Sequence, residues 1–170
     1  TSTPAVSLGM ALGGDLPWSP LAAYVPVQII GAVAGVLLAH AMFDLPLWQP
    51  GTRARSGAAQ WLSEGVATFG LVLTILLALR HRPAAVPALV AAYILAAYWF
   101  TASTAFANPA VTLARSLTQS FAGIAPADVG GFVVAQFVGA LLALAFAAAL
   151  LGRDQSLPSG TPGTPQQSAR

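Results

Sequence analysis

Long runs of apolar residues, separated by short polar joints, constrain this chain more than any other feature of its sequence. A helix that crosses a bilayer needs about 20 predominantly apolar residues. Three runs meet that length, at about 21–43, 58–79 and 129–151. A fourth, at about 84–100, is shorter and carries Pro87 near its start, where a proline is tolerated. The joints hold most of the charge: Asp44 to Arg55, Arg80-His81-Arg82, and Arg153-Asp154. Only 7% of residues are charged and mean hydropathy is +0.74, whereas water-soluble domains carry about a quarter charged residues. Such a chain lacks the polar side chains to clothe a water-facing surface. The expected fold class is an all-α, multi-pass membrane protein with the lipid bilayer as its main partner.

Other classes are excluded on simpler grounds. Cysteine is absent, which removes disulfide scaffolds, thiolate metal sites and thiol nucleophiles. All seven basic residues are arginine, and the net charge of +2 is scattered, so no nucleic-acid surface is expected. There is no Cys/His cluster, no HExxH, no Walker glycine loop and no pair of carboxylates on one helix face. The chain reads as no enzyme, with no catalytic residues, no metal site and no cofactor. Residues 153–170 are rich in Ser, Gly, Pro, Thr and Gln without apolar period and read as a disordered tail.

Two short segments stand apart from the runs. Thr3-Pro4-Ala5-Val6-Ser7-Leu8 and Asn108-Pro109-Ala110-Val111-Thr112-Leu113 are near copies, each followed by too few apolar residues to span. Threonine or asparagine suits a helix N-cap, and proline suits the first helical position, where its missing N–H is not needed. Half-helices are expected over 4–13 and 109–121. The copy extends into the runs that follow: Tyr24-Val25 matches Phe132-Val133, Gln28 matches Gln136, and Gly31-Ala32 matches Gly139-Ala140.

The second half-helix is preceded by two runs and followed by one; the first is followed by one. A complete unit of two spans, a half-helix and a third span has an odd number of crossings, so the second copy is expected inverted in the membrane. On this reading residues 1–152 form a channel domain without its first two spanning helices. Arg80 and Arg82 favour a cytoplasmic position for their loop, while Arg53 and Arg55 pull the other way.

Irregular backbone at membrane depth survives only where protein buries it or water bathes it. Two half-helices meeting near the midplane would aim the positive ends of their dipoles at one point. A neutral solute crosses that field at little cost, whereas a cation or a hopping proton is repelled.

Paired Asn-Pro-Ala-type boxes on inverted half-helices resemble the aquaporin, or major intrinsic protein, family over nearly the whole chain apart from the tail. The stretch Trp99-Phe100-Thr101-Ala102-Ser103-Thr104-Ala105-Phe106-Ala107-Asn108-Pro109-Ala110-Val111-Thr112 resembles the bacterial aquaglyceroporins associated with arsenic resistance. The resemblance implies a passive channel for small uncharged solutes (arsenous acid, glycerol, water) in the bacterial inner membrane, assembled as a homotetramer. It makes Thr3, Pro4, Ala5, Asn108, Pro109 and Ala110 the pore motif. Most family members place arginine directly after the second box, where this chain has Val111; an aliphatic residue there implies a wider filter. Ala96 falls near the place of a histidine in water-selective relatives, and with Phe106 it joins Val111 as an expected filter residue.

Arg115, one helical turn beyond Val111 on the same face, either returns a charge to the pore mouth or faces headgroups and a neighbouring helix. Thr3 stands where the family has asparagine, as a variant or as damage at a cut end. Glu64 is the one acidic residue at depth in a run, and it is expected to support a re-entrant loop, as similar glutamates do in the family. His40 reads as interfacial. Gly31 and Gly35 read as a small-residue packing face, and Trp18, Trp48, Trp61 and Trp99 as interfacial anchors. Two alternatives stay open: an inverted-repeat secondary transporter, and a non-conducting truncated product.

Overall fold

The structure, a computed structural model, describes residues 18–154. The Thr3-Pro4-Ala5 box, the half-helix expected over 4–13 and the tail beyond Asp154 lie outside the described residues. Five α-helices follow one another: α1 Trp18–Met42, α2 Ala58–His81, α3 Val86–Phe100, α4 Pro109–Arg115 and α5 Val129–Asp154. Single 3-10 turns, Pro83–Ala85 and Pro126–Asp128, lead into α3 and α5, and no strand occurs among the described residues. Four helical segments are long and apolar enough to cross a membrane: Val25–Met42, Ala58–His81, Pro83–Phe100 and Pro126–Leu151. The chain is a multi-pass membrane protein.

Local chemistry sets the ends of these helices. Pro83 disfavours helical backbone at the residue before it, and Arg82 accordingly leaves the helix at φ −149°, ψ 68°, its N–H still bonded to the Ala78 carbonyl. The same proline then opens the turn into α3. At the other end of α3, the Thr101 hydroxyl donates to the Ala97 carbonyl at 2.6 Å, and Thr101 turns extended. The helix α5 runs to Asp154 and so takes in the first two residues of the expected tail.

The largest departure from the sequence reading is the length of α4. It stops at Arg115, where a helix to residue 121 was expected. Its terminal carbonyls are taken by backbone from elsewhere. The Gly51 N–H donates to Ser116 O at 2.7 Å, and the Ile124 and Thr118 N–H groups both donate to Arg115 O. Residues 116–125 therefore fold back over the end of α4. A side chain at Gly51 or Gly123 would collide with the Ile124 or Thr118 backbone, so glycine is required for this close approach.

In the packing, α2 and α5 are central. Leu71, Val72 and Ile75 from α2 meet Ala140 and Ala143 from α5, with Ala107 closing the cluster. Lipid tails are as apolar as leucine, so this contact gains from close van der Waals packing rather than from leaving water. Glycine makes it close: a Cβ on Gly139 would strike the Gly65 carbonyl oxygen. Gly31 and Gly35, by contrast, have nothing within 4 Å of an added Cβ; the tight small-residue seam is Gly65–Gly139, not the pair expected from spacing. The other two spans, α1 and α3, are mostly exposed, with Val27, Ile30, Leu38, Leu95 and Trp99 on their open faces. Trp48, Trp61 and Trp99 are all exposed, as interfacial anchors require.

The three longest joints gather at one end of the bundle. Arg55, from the loop between α1 and α2, reaches both the segment before α4 and the segment after it. Residues 101–128 thus leave α3 and enter α5 at the same end, with α4 between.

Candidate functional site

The backbone of residues 104–107 is unusual. Thr104, Ala105 and Ala107 all have positive φ, at 60°, 44° and 46°. Non-glycine residues rarely adopt this left-handed conformation, and each such residue costs on the order of 1–3 kcal/mol. Ala105, Phe106 and Ala107 are also buried. Three costly residues within four positions persist only where the surroundings hold them.

Glu64, on α2 and fully buried, does the holding. One carboxylate oxygen accepts from the Ala107 N–H at 2.5 Å and from the Gln136 side-chain amide at 2.7 Å; the other accepts from the Phe106 N–H at 3.2 Å. A buried carboxylate is tolerable when several donors satisfy it. The Thr68 hydroxyl donates to the Glu64 carbonyl at 3.0 Å and fixes the same turn of α2. Glu64 thus ties the backbone of Phe106 and Ala107 to α2 and α5.

The network continues into α4. Gln136, buried on α5, donates its second amide bond to the Thr112 hydroxyl at 2.8 Å. Thr112 in turn donates to the Asn108 carbonyl at 2.9 Å. Asn108, in extended conformation at φ −157°, is the N-cap of α4: its Oδ1 accepts from the Ala110 N–H at 2.9 Å. One continuous chain of hydrogen bonds thus ties α2, the strained loop, the N-cap and α5. Pro109 and Ala110 are buried beside it, and Val111 is half-buried on the first turn of α4. Thr112 and Gln136 were not singled out as site residues from sequence; the one signal for Gln136 was its match to Gln28 in the repeat.

Phe106 and Ala96 occupy different settings from one another. Ala96 is exposed on α3. Phe106 is turned inward, 3% exposed, against Ile124, Phe132 and Val129 rather than on an open wall. Its ring is a platform for cations: Arg55 lies 4.9 Å and Arg115 4.3 Å from its centroid, a range in which the ring quadrupole attracts a guanidinium.

Arg55 lies in a polar joint, where a charge is expected to be solvated, but it is 4% exposed. Its guanidinium donates to the carbonyls of Gly123, Ser103 and Phe121 at 2.8, 3.0 and 3.0 Å, and its backbone N–H donates to the Asp128 carboxylate at 2.7 Å. Burial, followed by the neighbouring charges of Arg53 and Arg115, lowers its pKa from the ordinary guanidinium value, with Glu64 and Tyr98 opposing. Nothing in the sequence marks which of two nearby arginines is drawn inward. His40, expected at the interface, is likewise buried, and its ring nitrogen Nδ1 meets the Leu47 carbonyl at 3.0 Å. The sharp turn at Asp44, with φ 54°, brings Leu47 back over the end of α1.

Among curated proteins, the chain is 61% identical over 142 residues to "Aquaglyceroporin AqpS" of Rhizobium meliloti, a match covering 84% of this chain and 61% of that protein. It is 33% identical over 84 residues to a "Glycerol uptake facilitator protein" of Streptococcus pneumoniae, covering 42% of the chain and 36% of the relative. A "Glycerol uptake facilitator protein" of Bacillus subtilis is 34% identical over 86 residues, covering 43% and 31%. The chain spans about three fifths of the first of these relatives and about a third of the others. No family model and no solved structure matches it.

Proposed function

We propose, from 61% identity over 142 residues to a curated aquaglyceroporin, that the chain belongs to the aquaglyceroporin branch of the major intrinsic protein family and forms part of a passive membrane channel for small uncharged hydroxylated solutes. The observation that carries this reading is the held N-cap of α4. The loop 104–107 enters the bundle, Asn108 caps α4 at depth, and α4 returns to the end from which the chain came. That is a re-entrant half-helix, and its positive end is fixed at the place where a solute must pass. With Asn108 Oδ1 committed to the cap, its NH2 group is free to donate to a passing hydroxyl. The first box, Thr3-Pro4-Ala5, is the proposed partner from the inverted copy.

Val111, Ala96 and the Asn108 amide line the narrow part in this reading. An aliphatic side chain after the second box admits a solute wider than water. Glycerol and arsenous acid are the leading solutes, with water next. Phe106 acts beneath the lining, through Arg55 and Arg115. With Arg55 spent on internal carbonyls and Arg53 stacked on the Phe121 ring at 4.7 Å, the loop arginines Arg80 and Arg82 mark the opposite end of the bundle as cytoplasmic. A homotetramer is the assembly proposed from the family.

A secondary transporter needs an ionisable group free to take up and release its coupling ion. Glu64 has three hydrogen-bond donors and no exposure, which favours the channel. The test is stopped-flow swelling and arsenite uptake in proteoliposomes holding the full-length protein. The expected result is saturation-free glycerol and arsenite flux without any ion gradient. Flux that required a proton or sodium gradient would refute the channel reading. Native mass spectrometry of the same preparation tests the tetramer.

A further inference from the structure

The carboxylate that holds the strained loop also brings a full negative charge to the start of α4. Glu64 accepts from the N–H groups of Phe106 and Ala107, the two residues before the Asn108 cap. Its donors satisfy its lone pairs but leave its charge in place. The dipole of α4 sets only about half a positive charge at the same point. Left to themselves, the two would draw cations to the box rather than repel them. A passage for neutral solutes therefore needs a further positive charge. Val111, in the place where the resemblance to aquaporins leads one to expect arginine, does not supply it.

The charged side chains at this end of the bundle can be taken in turn. Arg55 has its backbone N–H on the Asp128 carboxylate, and that acid answers its charge. Arg53, 4.7 Å from the Phe121 ring centroid, and Asp44 are both exposed, where water and salt screen them. Arg115 remains. It is the last residue of α4, and its guanidinium lies 4.3 Å from the centroid of the Phe106 ring. Phe106 thus links the two charges, its N–H on the Glu64 carboxylate and its ring against the Arg115 guanidinium. The seven residues of α4 rise about 10 Å, and helical side chains lean back toward the N-terminus. The guanidinium is therefore within about 10 Å of the Asn108 cap.

A charge in low-dielectric surroundings acts through the protein and needs no surface on the passage itself. At about 10 Å and an effective dielectric near 20, one unit charge changes the local population of a monovalent cation by about tenfold. We propose that Arg115 is a specificity-determining residue: its charge, set across Phe106 from Glu64, offsets the carboxylate and keeps cations and protons from the Asn108 box. Two tasks are then divided between two residues. Val111 leaves the passage wide, and Arg115 supplies from behind the lining the charge that a wide passage lacks. This assignment rests on the channel reading.

The experiment uses full-length protein in proteoliposomes. Glycerol entry is read by stopped-flow swelling, and proton entry by entrapped pyranine under a potassium potential clamped with valinomycin. Arg115→Met keeps an apolar stem on Phe106 and loses the charge; Arg115→Lys keeps the charge and loses the planar stack. The ratio of proton to glycerol flux should rise about tenfold in Arg115→Met and stay at the parent's value in Arg115→Lys. An unchanged ratio in Arg115→Met would overturn the assignment. So would an equal rise in both variants, which would make the stack rather than the charge the determinant. Glycerol flux in the parent, with either of those results, removes the assignment and leaves the channel. No glycerol flux in the parent removes the channel reading and the assignment with it.

Discussion

Replacing Glu64 by glutamine changes one atom type at the centre of the network, and its cost can be worked from the contacts. The carboxylate accepts from Ala107 N–H, Phe106 N–H and Gln136 Nε2. Glutamine keeps one acceptor oxygen. If that oxygen serves Ala107 and Gln136, the new NH2 group faces the Phe106 N–H, and that donor is left unpaired. An unpaired buried donor costs about 1–3 kcal/mol, and each remaining bond loses about 1 kcal/mol of charge assistance. Removing a buried charge returns part of its desolvation cost. The net destabilisation is about 2–4 kcal/mol. For a chain of this size that lowers the melting temperature by about 5–15 °C, read by circular dichroism in detergent. The positive-φ residues Thr104, Ala105 and Ala107 then relax toward ordinary backbone, the N-cap shifts, and glycerol flux falls at least as far as stability. Glu64→Asp, too short to reach both amides, should behave alike. A Glu64→Gln protein with unchanged melting and unchanged flux would refute the account of how this loop is held.

Other expectations follow from single contacts. Gly139→Leu must push α5 away from the Gly65 carbonyl, an overpacking cost of about 1–3 kcal/mol or more, visible as a lower melting temperature in detergent. Arg55→Lys loses the planar fork that serves Gly123, Ser103 and Phe121 together; lysine keeps the charge, so faster proteolysis of residues 116–125 with the helix content intact is the expected signature. Thr112→Val removes the hydroxyl between Gln136 and Asn108 and should cost about 1 kcal/mol, with a partial loss of glycerol flux in swelling assays. Val111→Arg adds a charge and a fork of donors at the proposed constriction, so the ratio of glycerol to water permeability should fall several-fold.

Apolar run length marks three of the four spans outright and the fourth, over 84–100, as a shorter candidate, since backbone hydrogen bonding in lipid leaves a helix as the only option for an isolated run. The Asn108-Pro109-Ala110 box likewise announced a helix start, because capping and the missing proline N–H are local effects. Glu64 was legible for the same kind of reason: a carboxylate in an apolar run must have donors. Three things were decided only by the tertiary structure. The length of α4 was set by Gly51, distant in sequence, and by Ile124, in the segment that folds back, taking the carbonyls at its end. The close helix seam fell at Gly65 and Gly139 rather than at Gly31 and Gly35, because spacing alone does not say which faces meet. The fates of Arg55, Arg115 and His40 depended on where three loops converge. A lone charged or imidazole side chain in a sequence reads as solvated, and only its neighbours in space reveal whether it is tied or stacked.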